Sequence, residues 1–214
     1  MLERLERRID EFRQDRLSTS TVRVVGATGN MASTYARIVA REVAGLVLVA
    51  RLGGVERLAD LARDLEGRTT VRIADDLGAL AGCDVVVSAS SASDPILFPE
   101  HLGEGPVVAC DIAVPPDVSP RVLEERPGAI VLTGGAVRLP LDPGLDLCDG
   151  RLPRGHVYAC MAETMLLGLE DHAGAFSFGP VLERDVDWIR EVADRHGFTV
   201  AGLRRLPGGG GPGG

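Results

Sequence analysis

A short apolar run, Val22-Arg23-Val24-Val25, leads without a break into Gly26-Ala27-Thr28-Gly29-Asn30-Met31-Ala32, and this junction restricts the fold more than any other stretch of the 214 residues. Glycine at the first position lets the chain turn sharply out of a strand. Glycine at the fourth keeps side-chain bulk away from the start of a helix, where the first N–H groups have no partner within the helix. Ala32 is small enough for that helix to lie close to the strand. Strand, tight turn and helix N-terminus in this order make an anion-binding corner suited to the pyrophosphate of a dinucleotide. The same string also serves elsewhere as a plain structural turn, and its setting within a β-α-β unit is what selects the binding reading.

The pattern continues downstream. Residues 46–50 read as a second strand, 55–65 as an amphipathic helix, and 69–73 as a third strand. Apolar runs at 84–87, 106–109 and 129–132 supply three more strands, with short helices or turns between them. This alternation predicts an α/β fold, a Rossmann-type doubly wound parallel sheet of order 3-2-1-4-5-6 with additional C-terminal helices. The helix after the glycine turn is expected over 30–43. Beyond a Pro- and Asp-rich loop at 139–155, helices are expected over 157–172, where Val157, Met161, Met165 and Leu169 recur, and over 182–196, both packing back on the sheet. Leu2, Leu5, Ile9 and Phe12 give the N-terminus the stripe of an amphipathic helix, and the Gly/Pro tail at 207–214 is expected to be disordered. The organisation that follows is an N-terminal helix and linker (1–20), a nucleotide-binding domain (21–150), a helical segment (151–203) and a tail (204–214).

Composition removes several functions. A formal net charge of −8 counts against a dedicated nucleic-acid binder, because phosphate neutralisation supplies most of that affinity. No apolar run approaches the roughly 20 residues of a membrane span, and the N-terminus lacks a signal-peptide stretch, so a cytoplasmic location is expected. Cys83, Cys110, Cys148 and Cys160 include no Cys-x-x-Cys pair, and neither a metal site nor a disulfide framework is expected. All 23 basic residues are arginine. Without lysine there is no Schiff base and no Tyr-x-x-x-Lys pair around Tyr35 or Tyr158, and the lysine-dependent chemistry of shikimate dehydrogenases is disfavoured.

The candidate cofactor-binding residues are Gly26, Thr28, Gly29, Asn30 and Met31 in the turn, then Arg51, then Ser88, Ala89 and Ser90, then Asp111. Arg51 stands at the end of the second strand, where an NAD-specific site carries an acid for the ribose 2′-hydroxyl. An arginine there can pair with a 2′-phosphate and favour NADPH, the alternative being a solvated loop residue. The small residues 88–91 follow the fourth strand, where a nicotinamide ribose would lie, or form an ordinary Ser-rich loop. Asp111 lines the cleft or organises a turn. Cys160 is the candidate nucleophile, at the start of a predicted helix whose N–H groups favour a thiolate, with Glu163 on its face and His156 one turn earlier as candidate proton carriers. Their alternatives are a small buried hydrophobe for Cys160 and a solvated loop histidine for His156.

The segment 156–167, HVYACMAETMLL, followed by Phe176-Ser177-Phe178-Gly179 and His196-Gly197-Phe198, resembles the C-terminal part of the cyanobacterial long-chain acyl-ACP reductases. Gly26-Ala27-Thr28-Gly29, Ala50-Arg51 and Gly134-Gly135 match that family in order. The resemblance implies NADPH-dependent reduction of a fatty acyl thioester, acyl-ACP or acyl-CoA, to an aldehyde, with the acyl-accepting cysteine at Cys160. The family's members carry a large N-terminal region that contributes to acyl binding, so substrate capture is expected either to need a separate substrate-binding subunit or to be lost. His156 matches no histidine of the family pattern. Arg151, Arg154, Arg204 and Arg205 are candidates for the landing site of an acidic carrier. The run 111–118, DIAVPPDV, is similar to the cofactor domain of glutamyl-tRNA reductases. The alternatives to a reductase are a non-catalytic NADP(H)-binding subunit or sensor, and another NAD(P)-dependent oxidoreductase of the glutamyl-tRNA reductase/shikimate dehydrogenase-like superfamily. Oligomeric state is left open.

Overall fold

A computed structural model describes residues 17–50, 53–144, 146–148, 150–201 and 204–205. The expected N-terminal helix at 2–12, Arg51 and the tail at 207–214 lie outside the described residues. The chain forms two compact units, residues 1–132 with 205–214, and residues 133–204.

In the first unit the elements follow as β1 (Thr21–Val25), α1 (Asn30–Val39), β2 (Gly45–Val49), α2 (Val55–Leu65), β3 (Thr70–Ala74), β4 (Val85–Ser88), β5 (Val107–Asp111), α3 (Arg121–Glu125) and β6 (Ala129–Thr133). The strands lie in the order β3-β2-β1-β4-β5-β6, the six-stranded parallel, doubly wound sheet that the sequence predicts. Strand β1 pairs with β2 from Thr21 opposite Gly45 to Val25 opposite Val49, and with β4 from Val22 opposite Val85 to Val25 opposite Ser88. All five residues of β2 are buried, as expected of a strand covered on both faces. Alternate residues of each strand enter different cores. Val22, Val24, Leu46 and Leu48 pack with Ala32 and Ala36 of α1 and Leu58 and Leu65 of α2. Val25, Val47, Val49 and Val86 pack on the other face with Leu97, Leu102 and Val118.

Helix α2 has the expected bounds, because Leu58, Leu61 and Leu65 put one buried stripe on an otherwise charged helix. Helix α1 ends at Val39 rather than at 43. The N–H of Glu42 turns back to the Val39 carbonyl, and that of Ala44 already donates to the Ser20 carbonyl, starting the next ladder.

The turn after β1 is closed by hydrogen bonds from the Gly26 and Ala27 N–H groups to the Val49 carbonyl and from Gly29 N–H to the Gly26 carbonyl. Gly26 has φ +76°, and a Cβ there would stand 2.7 Å from the Ala89 carbonyl oxygen. Both the backbone conformation and the approach of the loop after β4 therefore require glycine.

The second unit has its own antiparallel sheet, which the sequence reading did not contain: β7 (Ala136–Arg138), β8 (His156–Tyr158) and β9 (Thr199–Val200), in the order β8-β7-β9, with α4 (Ala159–Leu169) and α5 (Glu183–His196). The helix expected from 157 begins at Ala159, because Val157 and Tyr158 pair with Val137 and Ala136 and the Ala159 N–H donates to Gly135. The division between units falls after Leu132, earlier than the expected boundary at 150. The physical reason is a separate small core of Val157, Ala162, Leu166, Val192 and Phe198, on which Met161, Met165 and Trp188 pack. A last two-residue strand, β10 (Arg204–Arg205), lies next to β6 in the large sheet.

At the end of α4, Glu170 accepts hydrogen bonds from His196 and Arg195 of the last turn of α5, each at 2.7 Å. The His196 bond, and then Arg195, hold the Glu170 carboxyl below its ordinary value.

Two outcomes are expected. Gly26→Ala should lower stability to urea by at least about 1–3 kcal/mol, the cost of a non-glycine residue in a disfavoured conformation, before the clash with Ala89 is added. For Glu170, a depressed carboxylate contributes stability that is complete above its ordinary value and lost as the pH falls past it toward the folded one. Acid titration followed by fluorescence of Trp188, the single tryptophan, should therefore show Glu170→Gln less stable than the parent near neutrality and converging with it in acid.

Candidate functional site

A cleft of about 700 Å³ opens at the carboxyl ends of β1, β2, β3 and β4, where the strand order reverses. Ligands of doubly wound sheets bind at this position. The structure brings seven of the expected residues to it: Gly26, Thr28, Gly29, Asn30 and Met31 from the turn, and Ala89 and Ser90 from the loop after β4. Gly29 is the extended N-cap of α1, and no side chain caps that helix. The positive end of α1 is thus presented to the cleft by backbone alone, as an anionic ligand requires.

Two expected residues are placed elsewhere. Ser88 is buried, and its hydroxyl donates to Asp117 Oδ2 at 2.5 Å. Asp111 is also buried and organises the turn that follows β5, its Oδ1 accepting from Ala113 N–H at 3.0 Å and its Oδ2 from Val118 N–H at 2.8 Å. Burial pushes the Asp111 carboxyl up, and these two N–H groups oppose the shift. Ser90 lines the cleft while both its N–H and its hydroxyl donate to Asp117.

The cleft contains residues that the sequence reading missed. Gly53, Gly54 and Arg57 line it at the start of α2, and Asp75, Asp76 and Leu77 after β3. The rule that ligands lie beyond the carboxyl ends of the strands would have pointed to Asp75 and Asp76, which directly follow β3. Asp117 carries no such signal, since its serine partners are 29 and 27 residues away.

In the second unit, Cys160 is the second residue of α4 and is exposed. Its carbonyl accepts from Thr164 Oγ1 at 3.0 Å. His156 is half-buried in β8, and its Nδ1 donates to the Arg154 carbonyl at 3.0 Å, leaving Nε2 as the acceptor nitrogen of the neutral ring. Glu163 lies one turn beyond Cys160 on the same helix. Among the described residues no hydrogen bond joins these three side chains. The other cysteines differ: burial pushes the Cys83 and Cys110 thiols up, which keeps them protonated and inert, and Cys148 is buried. Burial, with Cys110 and Glu42 nearby, also pushes Tyr35 up to about 12, unsuited to proton transfer near neutrality. Arg154 pairs with Asp142 at 3.5 Å, and Arg151 is exposed. Among the described residues no helix is long and apolar enough to cross a membrane, and no group of three or more His, Cys, Asp or Glu side chains could hold a metal ion.

Comparison with known proteins adds the family. The family model for shikimate / quinate 5-dehydrogenase matches residues 8–131, more than half of the chain. A long-chain acyl-[acyl-carrier-protein] reductase of Synechococcus elongatus is 31% identical over 194 residues, covering 87% of this chain and 55% of its own length. Aminotransferase PigE of a Serratia species is 29% identical over 185 residues, 84% of this chain and 21% of that protein. A glutamyl-tRNA reductase of Methanopyrus kandleri is 39% identical over 110 residues, 48% of this chain and 26% of that protein. The chain thus spans about half or less of the curated relatives it matches, and its resemblance to acyl-ACP reductases and glutamyl-tRNA reductases is borne out. With no lysine in the sequence, the family match speaks for a shared domain and not for a lysine-dependent reaction. By this match the chain belongs to the shikimate/quinate 5-dehydrogenase family and is an NAD(P)-dependent oxidoreductase-like domain on a Rossmann fold.

Proposed function

We propose that this chain is the reductase part of an enzyme that converts a fatty acyl thioester, carried on acyl carrier protein or coenzyme A, to an aldehyde with NADPH. One observation carries the reading. The match to the acyl-ACP reductase covers 194 residues, whereas the nucleotide unit's main span ends at Leu132. The match must therefore run on into the unit that holds Cys160. The family model stops at 131 and supports only the nucleotide-binding half of the proposal.

The cleft fits the cofactor. Its size is that of a small-molecule site, Gly26 lets the turn and the loop after β4 meet without a Cβ between them, and the N-terminus of α1 suits a pyrophosphate. In this reading Gly26, Thr28, Gly29, Asn30 and Met31 hold the pyrophosphate, Arg51 pairs with the 2′-phosphate, and Ala89 and Ser90 face the nicotinamide end. Ser88 and Asp111 act from beneath as supports. NADPH, when bound, supplies the hydride that reduces the acyl group to an aldehyde.

The chain's own part begins at Cys160. Its thiolate attacks the thioester carbonyl, a bond from Cys160 sulfur to the acyl carbon forms as the carrier's carbon–sulfur bond breaks, and the carrier leaves as its thiol after taking up a proton. His156, through Nε2, and Glu163 are the groups assigned to hold and return that proton. Once the acyl carbon is reduced, the carbon–sulfur bond to Cys160 breaks, releasing the aldehyde and restoring the thiolate.

Incubation with a long-chain acyl-CoA or acyl-ACP should give an acyl adduct by intact mass, and aldehyde once NADPH is added. Cys160→Ser should abolish the thioester adduct and aldehyde formation. Aldehyde at the parent rate from this variant would overturn the acyl-enzyme route, and NADPH binding without any adduct or aldehyde would favour a non-catalytic dinucleotide-binding subunit. Arg51→Ala should reduce the preference for NADPH over NADH by about tenfold, the loss of one charge-assisted pair. An unchanged ratio of the two dissociation constants would remove Arg51 from the site.

A further inference from the structure

The loop after β4 forms one wall of the cleft, and a single residue outside the cleft, carried by the loop after β5, ties two stretches of that wall together. Asp117 is fully buried and does not line the cleft. Its Oδ2 accepts from the Ser88 hydroxyl at 2.5 Å and from the Ser90 N–H at 2.8 Å, and its Oδ1 accepts from the Ser90 hydroxyl. Its own carbonyl accepts from the N–H groups of Ile96 and Leu97, at 2.8 and 2.9 Å. Side chain and backbone of one residue therefore hold two separate stretches of the wall, since Ala89, Ser90 and Ser91 face the cleft from one stretch and Ile96 from the other.

The next layer is as well determined. Val118 N–H donates to Asp111 at the end of β5, so the backbone that carries Asp117 is pinned to the sheet. Ser90 Oγ also accepts from Ala92 N–H at 3.1 Å, so the loop after β4 is fixed over several residues by this one carboxylate. A buried carboxylate whose oxygens accept three hydrogen bonds is a rigid support, because loss of any partner leaves a polar group unpaired. The Ala89 carbonyl oxygen of the same loop lies 2.7 Å from where a Cβ on Gly26 would stand. The loop is thus bonded to Asp117 on one side and closely approached by the Gly26 backbone on the other.

We propose that Asp117 is a positioning residue that fixes the wall of the cleft receiving the nicotinamide and its ribose, while the adenosine end is bound independently of it. The inference rests on the nicotinamide-dinucleotide reading of the cleft. It adds that affinity for the reactive end of the cofactor depends on a residue that does not touch it. The adenosine end lies by this reading against Gly53, Gly54 and Arg57 and the residues after β3, none of which is bonded to Asp117.

The test compares NADPH with 2′,5′-ADP, which keeps the adenosine and the 2′-phosphate and lacks the nicotinamide and its ribose. Dissociation constants are measured by calorimetry for the full chain, for Asp117→Ala and for Asp117→Asn, with urea unfolding to establish that each variant is folded. Asp117→Ala should weaken NADPH by about tenfold or more, a discrimination of the size of one lost set of fixed contacts, and leave 2′,5′-ADP within about twofold. Asp117→Asn keeps the shape and one acceptor oxygen, so it should remain folded and show the same split at smaller size, which keeps the test decisive where the alanine variant does not fold. Equal weakening of both compounds, or no weakening of either in a folded variant, would overturn the proposal. Failure of the parent protein to bind either compound would overturn the dinucleotide reading, and this inference with it.

Discussion

The nucleotide unit depends on the close approach of the Gly26 backbone to the carbonyl of Ala89. Strand β1 is central and pairs with β2 on one side and β4 on the other, so whatever follows β1 must pass between the loops that leave its neighbours. Only a residue without a Cβ, in a conformation of positive φ, does so here. Hydrogen bonds from Gly26 and Ala27 to the end of β2 then set the direction in which α1 departs. The orientation of that helix, and with it the partial charge at its N-terminus, is a consequence of packing between backbones and owes nothing to a capping side chain.

Local patterns were legible in the sequence and distant pairings were not. The glycine turn and helix α2 could be read because their signals lie within a dozen residues: a strand running into Gly26, and leucines at positions 58, 61 and 65. The same logic misassigned Val157, whose spacing to Met161 and Met165 fits a helix, although its backbone pairs with Val137 in a strand far back in the chain. The small antiparallel sheet escaped for that reason, and with it the grouping of residues 133–204 into one compact unit. In the candidate site, Gly26 to Met31 were legible as a motif. Ser88 and Asp111 have the right chemistry for a ligand, but their polar groups are used by Asp117 and by a turn. No local rule announces that competition, because it is decided by which loops the fold brings together.

The two units divide the chemistry. The cleft of the first joins the glycine turn and the N-terminus of α1 to apolar side chains such as Val25, Val49 and Ile96. The second carries the exposed thiol on a short helix whose packing is secured by Leu166 and Ala162 underneath and by the Glu170 clamp at its far end. Burial raises the thiols of Cys83 and Cys110, both in the first unit.

The central position of β1 has a consequence for synthesis on the ribosome. Strands β1, β2 and β3 leave the exit tunnel close together, whereas the other neighbour of β1, β4, follows only after both helices and the third strand have been made. Until then the nascent chain presents one open side of β1, a row of unpaired backbone groups flanked by valine side chains. Parallel pairings between segments far apart in the chain form slowly and are prone to aggregation in the interval. The strand that runs into the cleft-lining turn of the finished protein is therefore left with one edge unpaired while the protein is being made.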